Sequence, residues 1–146
     1  MTGNPKPPPL EYTSRIRVRF AETDQMGVVY HSNYLVWMEV GRVELCRSLG
    51  IRYRDMERDD GVLLAVAEAS CRYLSPARYD EEVDIRTWIE SAHRRMIVFG
   101  YEMSEVASGA VLAKGETKHI FTGRDMKPAR LPEKYVAQFG ITRGVS

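Results

Sequence analysis

The chain has 146 residues, 44% of them apolar and 28% charged, which bounds it to one globular domain with one core. Its 21 basic and 20 acidic residues nearly cancel, so it carries neither the basic footprint of a nucleic-acid binder nor the charge excess of a disordered segment. No apolar run is long enough to span a bilayer, which argues against membrane insertion.

The opening MTGNPKPPPL lacks the apolar core of a secretion signal and reads as a Pro-rich extended tail over residues 1–12. A cytoplasmic location is the expectation. Residues 13–20, TSRIRVRF, alternate Ile16, Val18 and Phe20 with Arg15, Arg17 and Arg19. That pattern predicts a strand with one buried face and a solvated arginine face. A loop follows over residues 21–30.

Residues 33–49 predict a helix. Leu35, Met38, Arg42, Leu45 and Leu49 recur at helical spacing, Ser32 or Asn33 is available as a cap, and Gly50 stands where helices commonly stop. Trp37, Val40, Val43 and Cys46 spread apolar surface around the other sides, as in an enclosed helix. Residues 52–60 read as irregular or as a short helical turn. Four strands are then predicted at residues 61–74, 82–93, 96–106 and 111–122, separated by turn chemistry, with a short terminal helix at 132–139. Cys46 and Cys71 have neither a C-x-x-C nor a metal spacing and read as reduced core thiols.

One strand, one long helix and four consecutive strands predict an α+β domain over residues 13–140. In it an antiparallel sheet of about five strands wraps a central helix, which is the hotdog arrangement. A sheet this small leaves an edge or outer face free to meet another copy, so a homodimer or homotetramer is expected.

The segment FAETDQMGVVYHSNY, residues 20–34, holds the chemistry. A carboxylate, Asp24, sits in a loop beside Gly27. Val28 and Val29 follow, then Tyr30 and His31 at the mouth of a helix. A helix start presents unpaired N–H groups and partial positive charge, which suit a developing oxyanion. With Asp24 as base or nucleophile, two parts of acyl-transfer chemistry are present.

The pattern Asp24-x-x-Gly27-Val28-Val29-Tyr30-His31-x-x-Tyr34 resembles the signature of the 4-hydroxybenzoyl-CoA thioesterase family, including the branch associated with the Tol–Pal system. Residues 34–49, with Glu39, Arg42, Glu44 and the following Gly50, are similar to its central helix. YLSPARYD at 73–80 resembles its Y-x-x-P-A-x-x-D turn, and GRDMKPARLP at 123–132 its closing segment. The likeness runs over residues 13–135.

The resemblance implies hydrolysis of an acyl-CoA thioester without cofactor or metal. Asp24 would act as nucleophile or general base, and the backbone N–H of His31 would polarise the thioester oxygen. The His31 side chain is a second candidate, although relatives carry Tyr or His there. Gly27, Val28, Val29, Tyr30 and Tyr34 would hold the substrate. Arg94 and Arg95, ahead of Lys127 and Arg130, would meet the phosphates of CoA, for which the planar guanidinium is suited. Close relatives often have Tyr where this chain has Phe20, so no hydroxyl comes from that position.

Plainer readings stand beside these. Asp24 alone reads as a turn residue bonding its own backbone. Arg94 and Arg95 read as an exposed turn pair. Tyr34, Trp37 and Met38 read as core, and Glu68 and Ser70 as solvated or paired strand residues. His93 and His119 lack a paired ligand spacing and read as structural. Two rival functions remain: hydration or dehydration of acyl thioesters, and a non-catalytic acyl-CoA-binding module.

Overall fold

The computed structural model describes residues 10–141. The proline-rich stretch at residues 1–9 lies outside that range. Of the expected tail, Glu11 and Tyr12 already belong to the first strand.

The elements run β1 (Glu11–Arg17), α1 (Ser32–Ser48), β2 (Val62–Tyr73), β3 (Glu82–Ala92), β4 (Met96–Glu105) and β5 (Val111–Gly123). All five strands form one antiparallel sheet in the order β1-β3-β4-β5-β2. Sequence alternation decides its faces. Val83, Ile85 and Thr87 of β3, Ile97, Phe99, Tyr101 and Met103 of β4, and Thr117, His119 and Phe121 of β5 are buried on the inner face. The opposite face carries cross-strand charge pairs such as Arg15–Asp84 at 2.8 Å and Lys118–Glu68 at 3.1 Å. Helix α1 covers the inner face with Tyr34, Trp37, Met38, Gly41 and Leu45, spaced i, i+3, i+4, i+7 and i+11. Leu35, expected within the apolar stripe, is 42% exposed, and Val36 is 50% exposed. Within this chain the helix meets only one sheet face, so apolar residues off that stripe stay uncovered.

Gly41 sets how closely helix and sheet approach. A Cβ there would come within 2.2 Å of Thr87 Oγ1 and 3.0 Å of Ile85 Cγ2, both on β3. Gly41→Val is expected to lower stability by about 2 kcal/mol through overpacking. The midpoint of thermal unfolding then falls by roughly 4–8 °C for a domain of this size. An unchanged midpoint in a calorimetric scan would show that α1 lifts off the sheet without cost.

The ends of α1 have different physical causes. At its C-terminus Gly50 takes φ +83°. Its N–H bonds Arg47 O, while Ile51 N–H bonds Cys46 O. This is the Schellman pattern that favours glycine. At the N-terminus the cap position is His31, and no side chain caps the helix. Neither Ser32 nor Asn33 plays the expected capping role. Asn33 instead donates its side-chain N–H to Glu22 O at 2.9 Å.

Several other boundaries differ from expectation. β1 ends at Arg17 rather than at residue 20, because Val18 leaves the ladder to bond Glu81 O and Asp80 N. Phe20 then opens a 3-10 turn, Phe20–Glu22, which rotates its ring out to 74% exposure against Tyr79. The inward residues of β1 and its extension are therefore Ser14, Ile16 and Val18. Residues 52–60 form a helical turn, Tyr53–Asp55, followed by a π turn, Met56–Asp60. The terminal helix contracts to a 3-10 turn, Glu133–Tyr135. Cys46 is fully buried, whereas Cys71 is only half-buried. Among the described residues no helix is long and apolar enough to cross a membrane.

Candidate active site

Beyond the turn at Phe20–Glu22 the chain makes a small hairpin. Thr23 pairs with Val29. Asp24 N–H bonds Val28 O at 2.9 Å, and Gly27 N–H bonds Asp24 O at 3.0 Å. Gly27 has φ +79°. This is a three-residue loop built on a turn with a glycine bulge, and the left-handed position explains the glycine. Asp24 occupies the first turn position, where its Oδ1 accepts the Met26 N–H at 2.8 Å. The turn role and a catalytic role are compatible. One carboxylate oxygen holds the loop, and among the described residues Oδ2 makes no hydrogen bond.

The hairpin is fixed to its surroundings by backbone contacts. Val29 N–H bonds Ala77 O at 2.8 Å, Val28 bridges to Arg78, and Tyr30 N–H bonds Glu22 O at 2.8 Å. The chain then enters α1 with His31 in helical conformation. His31 O accepts from Tyr34 N–H and from the Tyr73 hydroxyl at 3.1 Å. Among the described residues the His31 N–H donates to no group. It is one of the orphan donors every helix start leaves.

Asp24, Val28, Val29, His31 and Tyr34 line a common cavity of about 330 Å³. Five of the nine expected site residues therefore converge. Met26 and the segment Tyr73, Leu74, Ser75 and Pro76 complete the wall. Tyr73 opens the Y-x-x-P-A-x-x-D motif, but the sequence assigns it no place among the site residues. Its ring meets Tyr34 edge-on at 5.2 Å, and its hydroxyl holds the helix start. Burial pushes both tyrosine hydroxyls above their ordinary pKa, so both stay protonated near neutrality. With Met26, Val28, Val29, Leu74, Pro76 and the two tyrosine rings in the wall, the lining is largely apolar, and Asp24, the helix start and Ser75 are its polar features.

The remaining expected residues lie elsewhere. Gly27 shapes the turn without lining the cavity. Tyr30 is 47% exposed, with its ring against that of His31 at 4.3 Å. Arg94 and Arg95 do not line the cavity. Arg94 donates twice to Leu131 O, at 3.0 and 2.8 Å, and pairs with Glu133 at 3.3 Å. It anchors the closing segment to the β3–β4 turn. Arg95 is exposed and enters no ion pair among the described residues.

The profile of the thioesterase-like superfamily matches residues 18–139. The chain is 43% identical to the Bacillus subtilis protein named "Putative acyl-CoA thioesterase YneP" over 121 residues, which cover 82% of this chain and 86% of that protein. It is 30% identical to the acyl-CoA thioester hydrolase YbgC of Escherichia coli O6:H1 over 125 residues, covering 85% of this chain and 92% of that protein. Its fold matches the crystal structure of the DHNA-CoA thioesterase from Staphylococcus aureus with a TM-score of 0.82 and 35% identity, covering 89% and 86% of the two chains. The profile match spans the hairpin, the helix and all of β2 to β5, and so places this chain in the thioesterase-like superfamily, with its hotdog fold.

Proposed function

We propose that the protein hydrolyses acyl-CoA thioesters to free CoA and a carboxylic acid. The observation that carries this reading is one cavity lined by both Asp24 and the start of α1. In this reading the thioester carbonyl lies with its oxygen toward the His31 N–H, where the helix terminus stabilises developing negative charge. Asp24 Oδ2 either attacks the carbonyl carbon, expelling the CoA thiolate and leaving an acyl anhydride that water then cleaves, or takes a proton from a water that attacks the carbonyl and displaces the thiolate. The acyl group lies against Val28, Val29, Tyr34 and Tyr73. The exposed Arg95 is the better candidate for the CoA phosphates, because Arg94 would have to give up three contacts. The activities named for the relatives support the same reaction.

The active form is a homo-oligomer in the cytoplasm. Supporting the assembly, β2 is an edge strand whose outer side meets no other strand among the described residues, and Leu35, Val36 and Val66 stand exposed on α1 and β2. Sedimentation equilibrium would read the assembly directly, and a monomer at micromolar concentration would overturn it.

The test of the reaction is thiol release from aromatic, short-chain and long-chain acyl-CoAs, run beside loss of ultraviolet absorbance from enoyl-CoAs. Thiol release on part of the panel without hydration is the expected result. Hydration without thiol release would move the protein to the hydratase class, and tight binding without turnover would make it a carrier or sensor.

A further inference from the structure

Glu22 is a buried carboxylate with no part in the mechanism above. It is 5% exposed and ends the 3-10 turn two residues before Asp24. Its Oε1 accepts the Arg19 N–H at 2.8 Å, and its Oε2 accepts the indole N–H of Trp37 at 2.9 Å. The Arg19 guanidinium lies 3.6 Å from Oε2. Its carbonyl accepts twice more, from Tyr30 N–H at 2.8 Å and from the Asn33 side chain at 2.9 Å. Every partner except Arg19 belongs to α1 or to the residue just before His31.

We propose that Glu22 is a positioning residue: it ties the Asp24 hairpin to the start of α1 and so fixes the Asp24 carboxylate relative to the His31 N–H. This rests on the assignment of those two groups to the reaction. The geometry favours it over a general contribution to the core. A buried charge is costly where an apolar residue of the same size would fill the space. This one spends its side chain and its backbone carbonyl on the same junction. Burial works to raise its pKa, but the hydrogen bonds from Arg19 and Trp37 win, and the group is held below the usual carboxylate range. It is therefore ionised at neutral pH and accepts at both oxygens. Glutamine has one acceptor oxygen, so its amide would face a donor at one of the two sites.

The experiment compares wild type, Glu22→Gln, Trp37→Phe, the double variant and Asp24→Asn in thiol release from the best acyl-CoA of the panel, with circular dichroism and thermal midpoints for each. Glu22→Gln is expected to lower kcat by about 10- to 100-fold, with KM within about threefold, because a small misplacement of reacting groups costs rate rather than binding. Trp37→Phe removes one tether and lowers kcat less. The double variant is expected to fall no further than Glu22→Gln, since both changes cut the same connection. A kcat for Glu22→Gln within twofold of wild type would overturn the proposal. So would a fall in kcat that the unfolded fraction, read from circular dichroism at the assay temperature, accounts for in full. Should Glu22→Gln fail to fold, Trp37→Phe alone decides, by showing or lacking the selective fall in kcat. An inactive Asp24→Asn beside a fully active Glu22→Gln defeats the Glu22 proposal alone. A fully active Asp24→Asn defeats the assignment of the catalytic carboxylate.

Discussion

Replacing Asp24 with asparagine is expected to lower kcat for thioester hydrolysis by about a thousandfold, within the range for loss of a general base or carboxylate nucleophile. The substitution is well suited to the site. Asparagine keeps an oxygen that can accept the Met26 N–H, so the hairpin with Gly27 at φ +79° is preserved. What it removes is the second carboxylate oxygen, Oδ2, which makes no hydrogen bond among the described residues. KM should therefore change little, and the thermal midpoint should stay within a few degrees. Equal turnover by the two proteins would remove Asp24 from the chemistry and leave it as a turn residue. A loss of fold in the circular dichroism spectrum would instead show that the amide cannot hold the loop. Asp24→Ala in the same assay removes both roles at once. Its additional loss of stability over asparagine measures what the turn bond contributes.

The parts of the fold that were legible in sequence are those with strict periodicity. The inner-face residues Val83, Ile85 and Thr87 of β3 and Ile97, Phe99, Tyr101 and Met103 of β4 recur at every second position, and the edges of both strands fall within one residue of expectation. Helix α1 was legible through its spacing and through Gly50, whose left-handed cap is a local requirement. β1 ends before its pattern predicts because alternation continues through Phe20, while the chain itself turns at Val18 to meet Glu81. Nothing local to residues 13–20 records that long-range bond. The cavity shows the same division. Asp24, Gly27 and His31 belong to one short segment, so the sequence could present them together. Tyr73 reaches the helix start from a strand 42 positions away. Glu22 looks like any exposed polar residue of a loop until Trp37, 15 positions on, is folded over it. Arg94 resembled a free cation because its acceptor, Leu131 O, lies 37 positions downstream.

His119 makes the fold sensitive to acid in a window that can be calculated. Its ring is 1% exposed beneath α1, with Nε2 2.8 Å from Thr117 Oγ1, which in turn meets the Tyr101 hydroxyl at 2.6 Å. No described residue bonds Nδ1. Burial, helped by the nearby Arg42 guanidinium, drives the imidazole pKa down from 6.5 to about 4. The folded protein therefore holds this ring neutral over a range in which the unfolded chain binds a proton. Stability is fully present above the unfolded pKa and is lost as pH falls from about 6.5 towards 4. Between pH 7.5 and 4.5 the loss from this one group is about 2–3 kcal/mol. Urea unfolding at a series of pH values, wild type against His119→Gln, isolates it. Glutamine preserves a bond to Thr117 but does not titrate, so its stability should fall less steeply between pH 6.5 and 4.5. The carboxylates are the same in both proteins, so their contribution cancels in the difference between the two pH profiles. Parallel pH dependences for the two proteins would mean that the ring takes up its proton in the folded state. The polar chain from His119 through Thr117 to Tyr101 would then have to open to water well before the domain unfolds.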